Sequence, residues 1–208
     1  MAAIDQAEDV LHFWFPAPLG GDRDAVARRI EWWFRGGADA GITARYAPLL
    51  ARATAGELDG WAATPRGRLA LIVVLDQFQR SIHRGTALAF ALGPKAVALA
   101  LEGTACGHYD ALATPWEKTF FYLPLGHSED LVMVERPVDL ADALVAEAPA
   151  DVRWWLEFSA NQARGTRDVI ARFGRHPHRN EALGRRSTPA ELEFLASGQL
   201  VHMRPLPR

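Results

Sequence analysis

Helical periodicity runs through almost the whole of this 208-residue chain, and no stretch alternates apolar and polar residues as a half-buried strand would. An all-α fold follows. Three helix starts carry the same device: Thr64-Pro65, Thr114-Pro115 and Thr188-Pro189 each set a hydroxyl at the N-cap and a proline in the first turn. Glu117 and Glu191, three residues after their threonines, complete capping boxes. The pattern predicts about nine helices, at 5–14, 22–35, 39–54, 65–82, 94–106, 115–122, 128–146, 151–173 and 189–196. Pro16, Gly36-Gly37, Gly85, Gly107, Pro124 and Gly174 punctuate them, and Pro137, inside an apolar pattern, is expected to break or kink its helix. Neighbouring helical residues point about 100° apart, so the pairs Trp32-Trp33 and Trp154-Trp155 each span a wide buried face.

Nothing in the composition divides the chain, so a single domain over 1–208 is expected, with a C-terminal tail at 197–208. With 49% hydrophobic and 23% charged residues it can offset its conformational entropy by burial. The N-terminus is acidic where a signal peptide is basic, and the apolar runs are read as far short of a membrane span. A cytoplasmic protein without a membrane partner is therefore expected. Cys106 is the lone cysteine, which excludes an internal disulfide framework, and it reads as a small buried hydrophobe. No spacing suggests structural zinc, and no cofactor is identified.

The formal net charge of −2 argues against general nucleic-acid binding, which needs a net basic face. Charge is nevertheless unevenly placed. Between Arg164 and Arg186 there are seven arginines against Asp168 and Glu181. Arginine suits bidentate capture of carboxylate or phosphate, so a small anionic partner is the first functional expectation.

Three segments could carry chemistry. In LDQFQRSIHRG, residues 75–85, Asp76 and Arg80 share a helix face, as do Arg80 and Arg84. They are read either as an intrahelical pair with Arg84 on the C-terminal dipole or as an anion clamp. In FYLPLGHSEDLV, residues 120–132, Ser128 is a natural N-cap, while His127 and Glu129 suit an acid–base pair or two ligands of a metal that lacks its remaining ligands. In RFGRHPHRN, residues 172–180, Gly174 suits a left-handed helix cap and Pro177 fixes a turn that presents His176, His178, Arg179 and Asn180. An extended His-Pro-His would splay its imidazoles apart, with one facing a pocket and the other solvated.

Taken together, LDQFQRSIHRGT, YLPLGHSEDL and IARFGRHPHRNEALGRRSTPAELEFL resemble the bacterial family of domain of unknown function 924, from Val10 to Leu195. The resemblance implies a tetratricopeptide-repeat-like α-α superhelix. It carries the family's polar motif onto Asp76, Gln77, Arg80, Arg84, His127, Ser128, Glu129, Arg172, Arg175, His178, Arg179, Asn180, Gly184 and Arg185. It implies no activity. Gln79 stands where the family pattern has Pro, Thr166 where it often has His, and His176 where it has Phe.

Two function classes fit these observations. The first is a small anionic ligand, phosphate- or carboxylate-bearing, held in a pocket of Arg80, Arg84, His127, Glu129, Arg172, Arg175, His178 and Arg179, with Asp76, Gln77, Ser128, Asn180 and Arg185 as further binding residues. If the protein is an enzyme, Glu129, His127 and His178 supply acid–base function, Glu129 as the orienting group and imidazole as the proton carrier. The second is a helical-repeat module that binds a peptide or protein. Fold analogy alone supports it.

Overall fold

The computed structural model describes residues 3–16, 20, 22–198 and 200. Among them there is no strand. Ten α-helical segments follow one another: α1 (Ala3–Trp14), α2 (Arg23–Phe34), α3 (Asp39–Thr54), α4 (Pro65–Ile72), α5 (Gln79–Ile82), α6 (Gly93–Ala105), α7 (Pro115–Gly126), α8 (Leu131–Glu147), α9 (Arg153–Phe173) and α10 (Pro189–Ala196). A π-helical stretch, Val73–Phe78, joins α4 to α5 without a break, so 65–82 is one continuous helical run of mixed winding.

The caps form as the sequence dictates. The Thr64 hydroxyl accepts from the Gly67 N–H at 3.1 Å. Thr114 and Glu117 exchange both capping-box hydrogen bonds, at 3.0 and 3.2 Å, and Thr188 and Glu191 do the same at 2.7 and 3.3 Å. Three local expectations are corrected. The N-cap of α8 is Asp130, which accepts from the Val132 N–H at 2.8 Å, while Ser128 lies a turn earlier and accepts from the Asp130 N–H at 3.1 Å. Both residue types cap, so sequence cannot choose between positions two apart. Pro137 does not break α8, and Pro124 lies inside α7. Pro137 is buried, and a Cβ built on Gly126 would lie 3.8 Å from its ring. Packing there holds the helix past the lost hydrogen bond.

The chain divides into two compact units, the first from the described residues of 1–84 and 88–124, the second from those of 85–87 and 125–208. The boundary falls inside α7, where no change of composition marks it.

In the first unit, the 65–82 run is buried on nearly every side and packs against α3 and α6, with α1 against α4. An aromatic cluster surrounds it: Trp14 and Phe78 lie 5.6 Å apart, Trp33 and Phe120 4.7 Å, Tyr46 and Phe78 4.8 Å. The first two pairs are edge-on and the third tilted, and such contacts add to area burial. Trp33 is buried and Trp32 only partly, so the pair spans the core boundary. Arg68 crosses this core, its Nε donating to His108 Nδ1 at 3.1 Å and its Nη1 to the Leu99 carbonyl at 3.0 Å. Gly103 makes room for it, because a Cβ there would meet Arg68 Cδ at 2.5 Å and Phe121 Cζ at 2.4 Å.

Two composition-level expectations change here. Cys106 is exposed at the C-cap of α6, because the helix ends one residue earlier than its apolar pattern. Ala87–Ala105 is long and apolar enough to cross a membrane by length and composition, since Lys95 and Glu102 are its only charges. A turn at 91–92 divides it into a 3₁₀ segment, Ala87–Phe90, and the 13-residue α6.

In the second unit, α8 and α9 pack along one another through a short connection at 148–152, burying Val134, Val138, Ala141 and Leu144 on α8 and Trp155, Leu156, Ala160, Val169 and Ile170 on α9. Gly174, at φ 67°, closes α9 in the left-handed conformation and donates to the Ile170 carbonyl at 2.8 Å. The polar loop that follows starts at this cap.

Candidate functional site

The residues picked out from sequence fall into two sets. Asp76, Gln77, Arg80 and Arg84 belong to the first unit. His127, Ser128, Glu129, Arg172, Arg175, His178, Arg179, Asn180 and Arg185 belong to the second.

The first set sits at the end of the π-helical stretch. A π-turn inserts one residue into the helical repeat and is a common mark of function. Asp76, Gln77, Phe78 and Gln79 are all buried, as are the six residues Gly67–Ile72 of α4 before them. The Asp76 carboxylate, 1% exposed, accepts from Gln77 Nε2 at 2.6 Å and from Arg80 Nε at 3.2 Å. Arg80 is held at its inner nitrogen, and its guanidinium carbon lies 5.3 Å from the centroid of the Phe90 ring. Its side chain is 20% exposed, and its two terminal nitrogens meet no acceptor among the described residues. The guanidinium is therefore oriented from its inner side.

Arg84 does not cap the helix dipole. Its Nε and Nη2 donate to the two carboxylate oxygens of Asp39 at 2.6 and 2.9 Å, which holds the Asp39 carboxyl below its usual range. Asp39 gave no signal in the sequence beyond being a first-turn acid of α3.

The second set forms a clasp between the α7–α8 junction and the loop after α9. Three successive junction residues each give an acceptor to the loop. The His127 carbonyl accepts from Arg179 Nη1 at 2.9 Å, the Ser128 carbonyl faces His176 Nε2 at 3.1 Å, and the Glu129 carboxylate accepts from the His176 N–H at 2.8 Å. Arg185 completes the clasp through its fork, Nη1 and Nη2 donating to the two oxygens of Glu129 at 2.6 and 3.0 Å. Burial works to raise the Glu129 carboxyl, but Arg185, the His176 N–H and the charge of Arg179 together hold it below the ordinary range. Such a carboxylate orients its neighbours better than it accepts a proton.

The loop is not extended. Pro177–Arg179 forms a 3₁₀ turn, and the imidazoles of His176 and His178 lie 5.4 Å apart. His176 is buried and His178 exposed. Because a carbonyl only accepts, His176 Nε2 carries the proton. Burial, then the charges of Arg179, His178 and His127, push this imidazole far below its usual pKa and keep it neutral. His176, a departure from the family pattern, is the structural histidine that sequence reading passed over in favour of His178.

Arg175 donates to both oxygens of Glu191 at 2.6 and 2.8 Å. With the Thr188 N–H, it pulls the Glu191 carboxyl down to about 2. Glu191 was legible as a capping residue, and its second role as the counter-ion of Arg175 was not. Asn180 is buried and donates through Nδ2 to Ser187 Oγ at 3.0 Å. Arg172 is exposed, its guanidinium 4.7 Å from the centroid of the neighbouring Phe173 ring. Among the described residues no three His, Cys, Asp or Glu side chains come together as a metal site.

The family model described as bacterial protein of unknown function (DUF924) matches residues 10–199. The chain belongs to the DUF924 family. A solved structure supports the same architecture: a protein of unknown function from Agrobacterium tumefaciens is 32% identical, with a TM-score of 0.76 over 95% of this chain and 100% of that one. No curated protein matches the chain. For this DUF924 protein the functional argument therefore rests on the two polar sets.

Proposed function

We propose that this DUF924 protein binds a small anionic molecule and that Arg80 receives it. The supporting observation is the outer edge of the Arg80 guanidinium: anchored at Nε by buried Asp76, backed by Phe90, and with both terminal nitrogens unspent among the described residues. A fork fixed in this way loses little entropy when it forms two parallel hydrogen bonds to a carboxylate or phosphate. In this reading Asp76 and Gln77 set the fork, and the 127–130 junction with Arg175, Arg179, Asn180 and Arg185 is the rigid framework of the second unit, with Arg172 and His178 exposed on it.

The test is a thermal-shift and calorimetric screen of carboxylates and phosphates against the wild type, Arg80→Gln and His178→Ala. A ligand at one hundred times its Kd stabilises by about 2.7 kcal/mol. The reading expects that shift in the wild type and its loss in Arg80→Gln. Equal shifts in both proteins would remove Arg80 from the site. Response to no anion, together with capture of an apolar peptide, would move the assignment to an interaction module.

A further inference from the structure

Asp76 and Arg80 sum to zero formal charge, so the pair presents its terminal N–H donors with no net positive charge of its own. That arrangement suits a planar monoanion better than a phosphate dianion, which would meet the Asp76 carboxylate as well as the guanidinium. The Phe90 ring against the guanidinium belongs to the 3₁₀ segment Ala87–Phe90, which also carries Leu88, one of the large apolar side chains left exposed, at 56%. A buried side chain fixes this segment. Gln79, next to Arg80, donates through Nε2 to the Leu88 carbonyl, while its own N–H closes the π-turn onto the Val74 carbonyl. The residue that precedes the fork therefore also tethers the apolar turn beside it. The family pattern has Pro at this position, which has no amide side chain to make that bond.

We infer that the Arg80 site takes a monocarboxylate bearing an apolar group, in preference to phosphate, and that Gln79 is the positioning residue that sets the Leu88–Phe90 turn against the bound apolar group. This deepens the anion-binding reading and rests on it. The carboxylate pairs with the two terminal nitrogens of Arg80, and the apolar group is covered by the 88–90 turn.

The experiment is calorimetric titration of the full chain with acetate, hexanoate, phenylacetate and inorganic phosphate, on the wild type, Arg80→Gln, Arg80→Lys and Gln79→Met, each checked for an unchanged circular-dichroism melt. Phenylacetate and hexanoate should bind about tenfold or more tighter than acetate, through apolar area removed from water. Phosphate should bind more weakly than phenylacetate. Both Arg80 variants should lose about tenfold or more for every carboxylate, Lys because a point charge does not reproduce the fork. Gln79→Met has similar volume and no donor. It should leave acetate binding within about twofold while the phenylacetate-to-acetate ratio falls toward one, a readout that loss of fold alone would not give. Phosphate bound through Arg80 more tightly than any carboxylate would keep the anion reading and overturn this inference, as would a ratio unchanged in Gln79→Met. Binding indifferent to Arg80, or no binding at all, would overturn both.

Discussion

Arg80 and Arg185 are each held by a carboxylate, but by opposite ends of the guanidinium. In the clasp, both terminal nitrogens of Arg185 are spent on Glu129, and Nη2 also reaches the His176 carbonyl at 3.1 Å. At the π-turn, Asp76 takes only Nε of Arg80. The first geometry closes a loop onto a helix junction and leaves no outward fork. The second leaves both terminal nitrogens without an acceptor among the described residues. The same pair of residue types thus closes a clasp in one unit and, in the proposed reading, sets a receptor in the other, and the deciding variable is which nitrogen meets the carboxylate. Arg68, buried in the first unit and committed to His108, the Leu99 carbonyl and Glu102, is a second closed case. In the segment densest in arginine, Arg175, Arg179 and Arg185 are engaged with Glu191, the His127 carbonyl and Glu129, whereas Arg80 belongs to a segment with two arginines.

The comparison is broken most severely by removing the space that a closed arginine needs. Gly103→Val should destabilise the first unit by about 3 kcal/mol or more, because its side chain would overlap Arg68 and the Phe121 ring. Chemical denaturation reads this directly. Glu129→Ala removes the centre of the clasp, leaving the His176 N–H without its acceptor and Arg185 with only the His176 carbonyl. A loss of about 2 kcal/mol is expected, moderated because both side chains of the pair are partly exposed.

The closed regions should also respond to acid. His176 has its pKa depressed in the folded chain, so the unfolded chain takes up the proton first. Its contribution to stability is present above the ordinary histidine value of 6.5 and is lost as pH falls below it. His108, whose Nδ1 accepts from Arg68, is depressed in the same sense by burial and by that charge. Glu191 and Glu129 add their losses only below the carboxylate value of 4.5. Unfolding free energies between pH 7 and 5 should therefore fall in the wild type. Replacing His176 with Phe should flatten the slope by up to about 1.4 kcal/mol per pH unit. An unchanged slope would mean that His176 is not neutral in the fold. At the small end, Thr188→Ala should cost about 1 kcal/mol through loss of the α10 cap.

What could be read from sequence was local. Threonine before proline specifies a helix start with no help from the rest of the chain, and all three such starts form. The π-turn was invisible, because one residue inserted in a run buried on all sides leaves no change of face for the hydrophobic pattern to show. Pro124 and Pro137 read as punctuation, and packing overrode them. The polar motif segments were legible as sets. Their partners were not: Asp39 for Arg84, Glu191 for Arg175 and the junction carbonyls for Arg179 and His176 come from far along the chain, and no spacing rule connects them.

The most direct measurement is arginine side-chain NMR of the wild type during titration with phenylacetate, with resonances assigned by their loss in Arg80→Lys and Arg185→Lys. The account predicts that the Arg80 guanidinium signals move saturably with ligand while those of Arg185, closed on Glu129, stay in place. Movement of Arg185 with Arg80 unchanged, or of neither, would contradict it.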